Sequence, residues 1–128
     1  MDEQLLVALA AEAGTKAYAP YSGFPVGAAL LGRSGRVYTG CNVENASYSL
    51  TICAERVAVF KAVSEGEREF EAIAIVTANG ATPCGACRQV LTEFGPDMRV
   101  LIATPERLLF AYSAAELLPG AFGPRDLP

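Results

Sequence analysis

The chain contains no histidine in its 128 residues. Any metal centre in it must therefore be built from sulfur or carboxylate. Lysine is almost as scarce. Lys16 and Lys61 are the only two, the eight arginines are scattered, and the formal net charge is −4. A long nucleic acid needs Lys and Arg clustered along a phosphate path, so no nucleic-acid polymer is expected as a partner. No apolar run approaches the ~20 residues of a membrane span, so no membrane partner is expected either. The opening residues Met1-Asp2-Glu3-Gln4 are acidic where a secretory leader is basic, which sets the expectation of a cytoplasmic protein.

What the chain does have is apolar residues and a few well-spaced cysteines. Hydrophobic residues make up 52% of it and charged residues 19%. That is enough for one core, and the length predicts a single domain over residues 1–128. The apolar surplus in so short a chain points to contacts between subunits. Four cysteines (Cys41, Cys53, Cys84 and Cys87) in a chain expected to be cytoplasmic favour metal binding over disulfides.

Cys53-Ala54-Glu55-Arg56 and Pro83-Cys84-Gly85-Ala86-Cys87 each open a predicted helix. Helix N-termini carry partial positive charge and free N–H groups, which suit thiolates. Cys53, Cys84 and Cys87 would give zinc, one per chain, three sulfur ligands, leaving the fourth tetrahedral position open for water, as in a catalytic site. Glu55, two residues after the first ligand, is placed to reach that water. A closed four-cysteine site including Cys41 is the structural alternative, but Cys41 and Cys53 form no short knuckle and Cys41 lies in a predicted strand. A redox dithiol at Cys84 and Cys87 is another, and it leaves Cys53-Ala54-Glu55 unexplained.

Cys-x-Glu followed by Pro-Cys-x-x-Cys is the signature of the zinc deaminases. Four motifs in order, Tyr21-Ser22-Gly23-Phe24-Pro25-Val26-Gly27-Ala28-Ala29, Gly40-Cys41-Asn42-Val43-Glu44-Asn45-Ala46, Cys53-Ala54-Glu55-Arg56 and Pro83-Cys84-Gly85-Ala86-Cys87-Arg88-Gln89, closely resemble the small homotetrameric cytidine deaminases. The resemblance runs from about Ala19 to Leu118. It implies deamination of cytidine and 2′-deoxycytidine, with Glu55 as the proton shuttle and Arg56 hydrogen-bonded to the ligand thiolates. It further implies Phe24 stacked on the base, the Ala54 N–H on the base carbonyl, and Asn42 with Glu44 on the ribose 3′-hydroxyl. Tyr48 and Phe122 match positions that a neighbouring subunit contributes, so the implied partners are a nucleoside and further copies of the chain in a homotetramer. A deaminase of a modified cytosine nucleoside, such as blasticidin S, is the nearest alternative.

The hydrophobic pattern gives the order of elements. Leu5, Leu6, Leu9, Ala10 and Ala13 predict an amphipathic helix over 3–17. Extended runs at 26–32 and 37–44 around Gly35 predict a hairpin. Helices follow over 53–64 and 84–94, with strands at 70–78, 99–103 and 108–112. Ser113 and Glu116 have the spacing of a capping box for a short helix over 113–118. The pattern permits one mixed sheet, roughly five-stranded, with helices on both faces. The resemblance implies the same three-layer α/β/α fold.

Overall fold

Asp2 caps the first helix, its Oδ1 accepting from the Gln4 N–H at 3.0 Å. A computed structural model describes every residue from Met1 to Pro128. Helix α1 (Glu3–Gly14) buries Leu6, Val7 and Ala10, one stripe at helical spacing. It stops three residues short of the expected end. Gly14 lies against Gly27, where even a Cβ would approach the Gly27 nitrogen to 3.2 Å, and the chain then turns so that the Tyr18 N–H donates to the Asn42 carbonyl at 3.0 Å.

Strands β1 (Gly27–Gly32) and β2 (Val37–Cys41) form the expected hairpin, with Gly35 at φ +92° in its turn. The second strand ends at Cys41 rather than Glu44. Val43 leaves the sheet to exchange hydrogen bonds with Ile52, both at 3.0 Å. The remaining elements are α2 (Ala54–Ser64), β3 (Phe70–Val76), α3 (Gly85–Phe94), β4 (Arg99–Ala103) and β5 (Leu108–Ser113). The Ser113 and Glu116 capping box forms, through reciprocal hydrogen bonds of 2.7 and 3.1 Å, but what it closes is a 3₁₀ turn at Ala115–Leu117.

The five strands lie in the order β2-β1-β3-β4-β5, with β3 and β4 parallel and every other pair antiparallel. Strand β3 sits in the middle and is buried except at Glu71, as its nearly unbroken apolar sequence requires. Helix α1 covers one face through a cluster that includes Leu6, Ala29, Leu31, Ala74 and Leu101. Helices α2 and α3 cover the other, over Leu30, Val59, Ile73, Leu91 and Ile102. The result is the three-layer α/β/α arrangement. Truncating one of these fully buried aliphatics to Ala costs about 2–5 kcal/mol. The layers are close. At Gly40 an added Cβ would fall 2.6 Å from the Ala54 carbonyl oxygen and 2.7 Å from the Ala58 nitrogen, so β2 and α2 meet backbone to backbone.

Candidate metal centre and active site

Cys53 is the N-cap of α2 and Cys84 the N-cap of α3. Neither sulfur caps its own helix, so both are free to point away from it. Cys87 follows in the first turn of α3 and is fully buried. The three sulfurs lie within 4.8 Å of one another, and Cys53 and Cys84 are 3.8 Å apart. Two thiolates each about 2.3 Å from one zinc at the tetrahedral angle are separated by about 3.8 Å. The donor set and its spacing therefore fit zinc. Cys41 stays in β2 as a free, half-buried thiol outside the cluster, so the closed four-cysteine alternative is not assembled.

Arg56 reaches back one turn and donates from Nη2 to the Cys53 sulfur at 3.3 Å. The neighbouring Cys87 thiol, with Arg56 beside it, pushes the Cys53 thiol down to about 5 against the opposing effect of burial. Cys87, next to Cys53 and buried beside Glu55, is held well above the usual thiol range. The Arg56 charge is reinforced by the same sulfurs. Its Nε is buried with no partner.

Glu55 is 4% exposed. Burial pushes its carboxyl up to about 7; its own backbone N–H opposes this, and the Cys53 charge adds to it. A carboxyl poised near neutrality can both take and give a proton.

Cys53, Glu55 and Cys84 line a cavity of about 240 Å³ together with Phe24, Asn42, Glu44 and Tyr48. A larger, more open depression of about 740 Å³ lies among Arg33, Arg36, Glu65 and Glu67. Its side chains satisfy one another, with Arg36 on Glu65 at 2.8 Å and the Tyr38 hydroxyl on Glu67 at 2.9 Å, so it offers no comparable chemistry.

Asn42 and Glu44 are buried polar side chains, and both are partly engaged. Asn42 accepts from the Val26 N–H and donates to the Phe24 carbonyl, both at 2.9 Å. Glu44 accepts from the Tyr21 and Ser22 N–H groups at 3.0 Å each and from the Ser22 hydroxyl. These bonds, that from the Ser22 hydroxyl foremost, hold its carboxyl below the ordinary carboxylate range against burial. Each keeps spare capacity, one amide N–H on Asn42 and further lone pairs on Glu44. Ser22 also accepts from the Phe24 N–H at 3.0 Å, so one hydroxyl links the aromatic to the carboxylate.

Ser22, Thr51, Thr77 and Thr82 line the same cavity and were not singled out from the sequence. Ser22 and Thr82 lie inside or beside the quoted motifs, and only the fold shows what their hydroxyls touch. Ala54 opens α2, so its N–H is one of those that helix geometry leaves without an intrahelical acceptor. Phe122, unlike Phe24, Asn42, Glu44 and Tyr48, does not line the cavity. It is 55% exposed, with its carbonyl accepting from Gln89 Nε2 at 2.8 Å.

Residues 1–104 match the family described as the cytidine and deoxycytidylate deaminase zinc-binding region. A cytidine deaminase of Sporosarcina psychrophila is 51% identical over 130 residues, spanning 99% of this chain and 96% of its own length. That of Mycobacterium tuberculosis is 48% identical over 130 residues, spanning 100% and 95%. The crystal structure of cytidine deaminase from Burkholderia pseudomallei superposes with a TM-score of 0.92 at 49% identity, over 95% of this chain and 100% of that one.

Proposed function

The chain belongs to the cytidine and deoxycytidylate deaminase family, and from that premise we infer an enzyme that hydrolyses cytidine to uridine and ammonia. The observation that carries this reading is the buried Glu55 carboxyl beside three convergent sulfurs. Cys53, Cys84 and Cys87 would hold one zinc. When bound, that ion supplies a Lewis acid that makes water acidic enough to yield a nucleophile near neutral pH.

Glu55 would take the proton from the attacking water and deliver it to the ring nitrogen beside carbon 4. The hydroxyl oxygen adds to carbon 4, and Glu55 then takes the remaining proton from that hydroxyl and passes it to the amino group. The carbon–nitrogen bond breaks, ammonia leaves, and the carbonyl of uridine remains. One water is consumed and no oxidant or reductant is needed. A carboxyl raised toward neutrality by burial suits each of these transfers. Arg56 would offset the negative charge of three thiolates by donating to Cys53, as groups that hydrogen-bond metal ligands do at other centres.

The cavity supports a nucleoside rather than a bare base. The Phe24 ring would lie against the pyrimidine, and the Ala54 N–H would donate to its carbonyl. Asn42 and Glu44 would grip the ribose 3′-hydroxyl with the donor and acceptor capacity left to them. 2′-Deoxycytidine is then a good substrate as well, yielding 2′-deoxyuridine. Blasticidin S is not favoured, because the relatives above are cytidine deaminases.

The finer reading is a cytoplasmic enzyme of pyrimidine salvage, working as a homotetramer in which Tyr48 and Phe122 complete a neighbour's cavity. Its support is a Phe122 ring left outside its own chain's cavity and a Tyr48 ring that is 57% exposed at the rim. No helix is long and apolar enough to cross a membrane.

The test is loss of cytidine absorbance with purified protein, repeated after exhaustive treatment with a strong chelator. The expected result is turnover that disappears with the zinc and returns on adding it back. Zinc-loaded protein without turnover would overturn the reading.

A further inference from the structure

The segment that delivers Cys84 to the metal centre is almost untethered by backbone. Residues 78–83 make no backbone–backbone hydrogen bond at all. They connect the end of β3 to the start of α3, and Thr82 lines the cavity. Four side-chain hydrogen bonds hold them. Two are local to Thr77, through the Ala81 N–H at 2.9 Å and the Asn79 side chain at 3.2 Å. The other two come from Arg88, whose Nε donates to the Pro83 carbonyl at 2.8 Å and whose Nη2 donates to the Thr82 hydroxyl at 2.9 Å.

The three candidate ligands are fixed in different ways. Cys87 is fully buried, so packing holds it. Cys53 is half-buried and receives the Arg56 hydrogen bond. Cys84 is exposed, and packing does little for it. Arg88 has a firm anchor to work from. Its Nη1 donates to the Leu117 carbonyl at 2.8 Å, and Leu117 is buried in the core cluster under α2 and α3.

We propose that Arg88 is a positioning residue for the metal centre: its guanidinium ties the Thr82-Pro83 segment to the buried Leu117 turn and so sets where the Cys84 sulfur stands. The fork geometry is the point. Three nitrogens of one rigid plane meet three acceptors on two different segments. A lysine keeps the charge but has a single nitrogen and cannot span both. The role deepens the zinc reading given above and rests on it.

The test compares Arg88→Lys, Arg88→Ala and Thr82→Val with the wild type in two measurements that do not use turnover. One is the rate at which zinc passes to a chromogenic chelator. The other is the visible spectrum of the cobalt-substituted protein, whose thiolate charge-transfer and d–d bands report ligand geometry. Arg88→Lys and Arg88→Ala should release zinc ~10–100-fold faster, the range for loss of groups that orient ligands, and should shift the cobalt bands. Thr82→Val, which removes one of the two tethers, should move both readouts the same way by less. Gln89→Leu frees only the Phe122 carbonyl and should match the wild type. If Arg88→Ala does not fold, Arg88→Lys and Thr82→Val decide. Folded variants with a lowered melting temperature but wild-type release and spectrum would make Arg88 merely structural and overturn the proposal. So would a Gln89→Leu release rate as fast as that of Arg88→Lys. A wild type that takes up neither zinc nor cobalt would instead overturn the zinc reading itself.

Discussion

Arg56 donates from Nη2 to the Cys53 sulfur at 3.3 Å while its Nε is buried with no partner. An orphaned buried donor costs about 1–3 kcal/mol, so its retention beside three sulfurs is best explained by the negative charge gathered there. Arg56→Gln removes the positive charge that offsets it and should lower turnover and zinc retention by ~10–100-fold while the far-UV spectrum is unchanged. Wild-type zinc content and turnover in the variant would return Arg56 to an ordinary helix-face role.

The three sulfurs should not respond alike. Cys53→Ala, Cys84→Ala and Cys87→Ala are each expected to lose stoichiometric zinc by metal analysis. Cys87 alone is fully buried, so Cys87→Ala should also lower the melting temperature of the metal-free protein most. A single variant that keeps both full zinc and full turnover would remove that residue from the ligand set.

Glu55→Gln preserves shape and hydrogen-bonding size but cannot carry a proton. Loss of a general acid–base group typically costs ~10²–10⁴-fold, and a carboxyl used in several transfers should lie at the upper end. Steady-state kinetics with zinc content measured in parallel checks this. Turnover within tenfold of wild type, at full zinc, would take Glu55 out of the mechanism.

Glu44 carries two separable effects. Its carboxyl is held below the ordinary carboxylate range, chiefly by the Ser22 hydroxyl. A depressed carboxylate contributes stability that is present above its ordinary value of 4.5 and fades as pH falls through its lower folded value. The melting-temperature deficit of Glu44→Gln should therefore be full at pH 7 and shrink at pH 3. In turnover, the same variant should narrow the preference for cytidine over 3′-deoxycytidine, since a site built to bond a hydroxyl rejects analogues that lack it. An equal deficit at both pH values would discount the Ser22 contact, and an unchanged preference would discount the sugar contact.

Phe122 is 55% exposed, so Phe122→Ala should fall well short of the ~3–5 kcal/mol of a core phenylalanine truncation. If the ring completes a neighbour's cavity, KM for cytidine should rise while zinc content holds. Sedimentation equilibrium should show a tetramer in the wild type. A fully active monomer at assay concentration would sink the shared-site reading.

The parts legible in the sequence are those set by local spacing. Cys53-Ala54-Glu55 and Pro83-Cys84-Gly85-Ala86-Cys87 named their own chemistry, and the unbroken apolar run from Phe70 marked the central strand. What was not legible depends on where distant segments meet. Asn42 and Glu44 were expected on one strand face, yet β2 stops at Cys41 because Val43 finds its backbone partner in Ile52. Both side chains reach the cavity all the same, through hydrogen bonds to the loop carrying Phe24 that no periodicity encodes. The three-pronged grip of Arg88 is of the same kind, since it depends on Leu117 arriving from the far end of the chain.

Gly40 touches no cavity residue through a side chain, because it has none, yet it gauges the seat of α2. With only 2.6 Å between a would-be Cβ and the Ala54 carbonyl oxygen, a single methyl there acts as a shim under the helix start. It would lift Cys53 and Glu55 together, out of line with sulfurs that arrive on another helix. The sites of greatest sensitivity in such an enzyme are therefore not ordered by distance from the substrate. Some are clearances, and a catalogue of harmful variants drawn up from contacts alone would pass over this one.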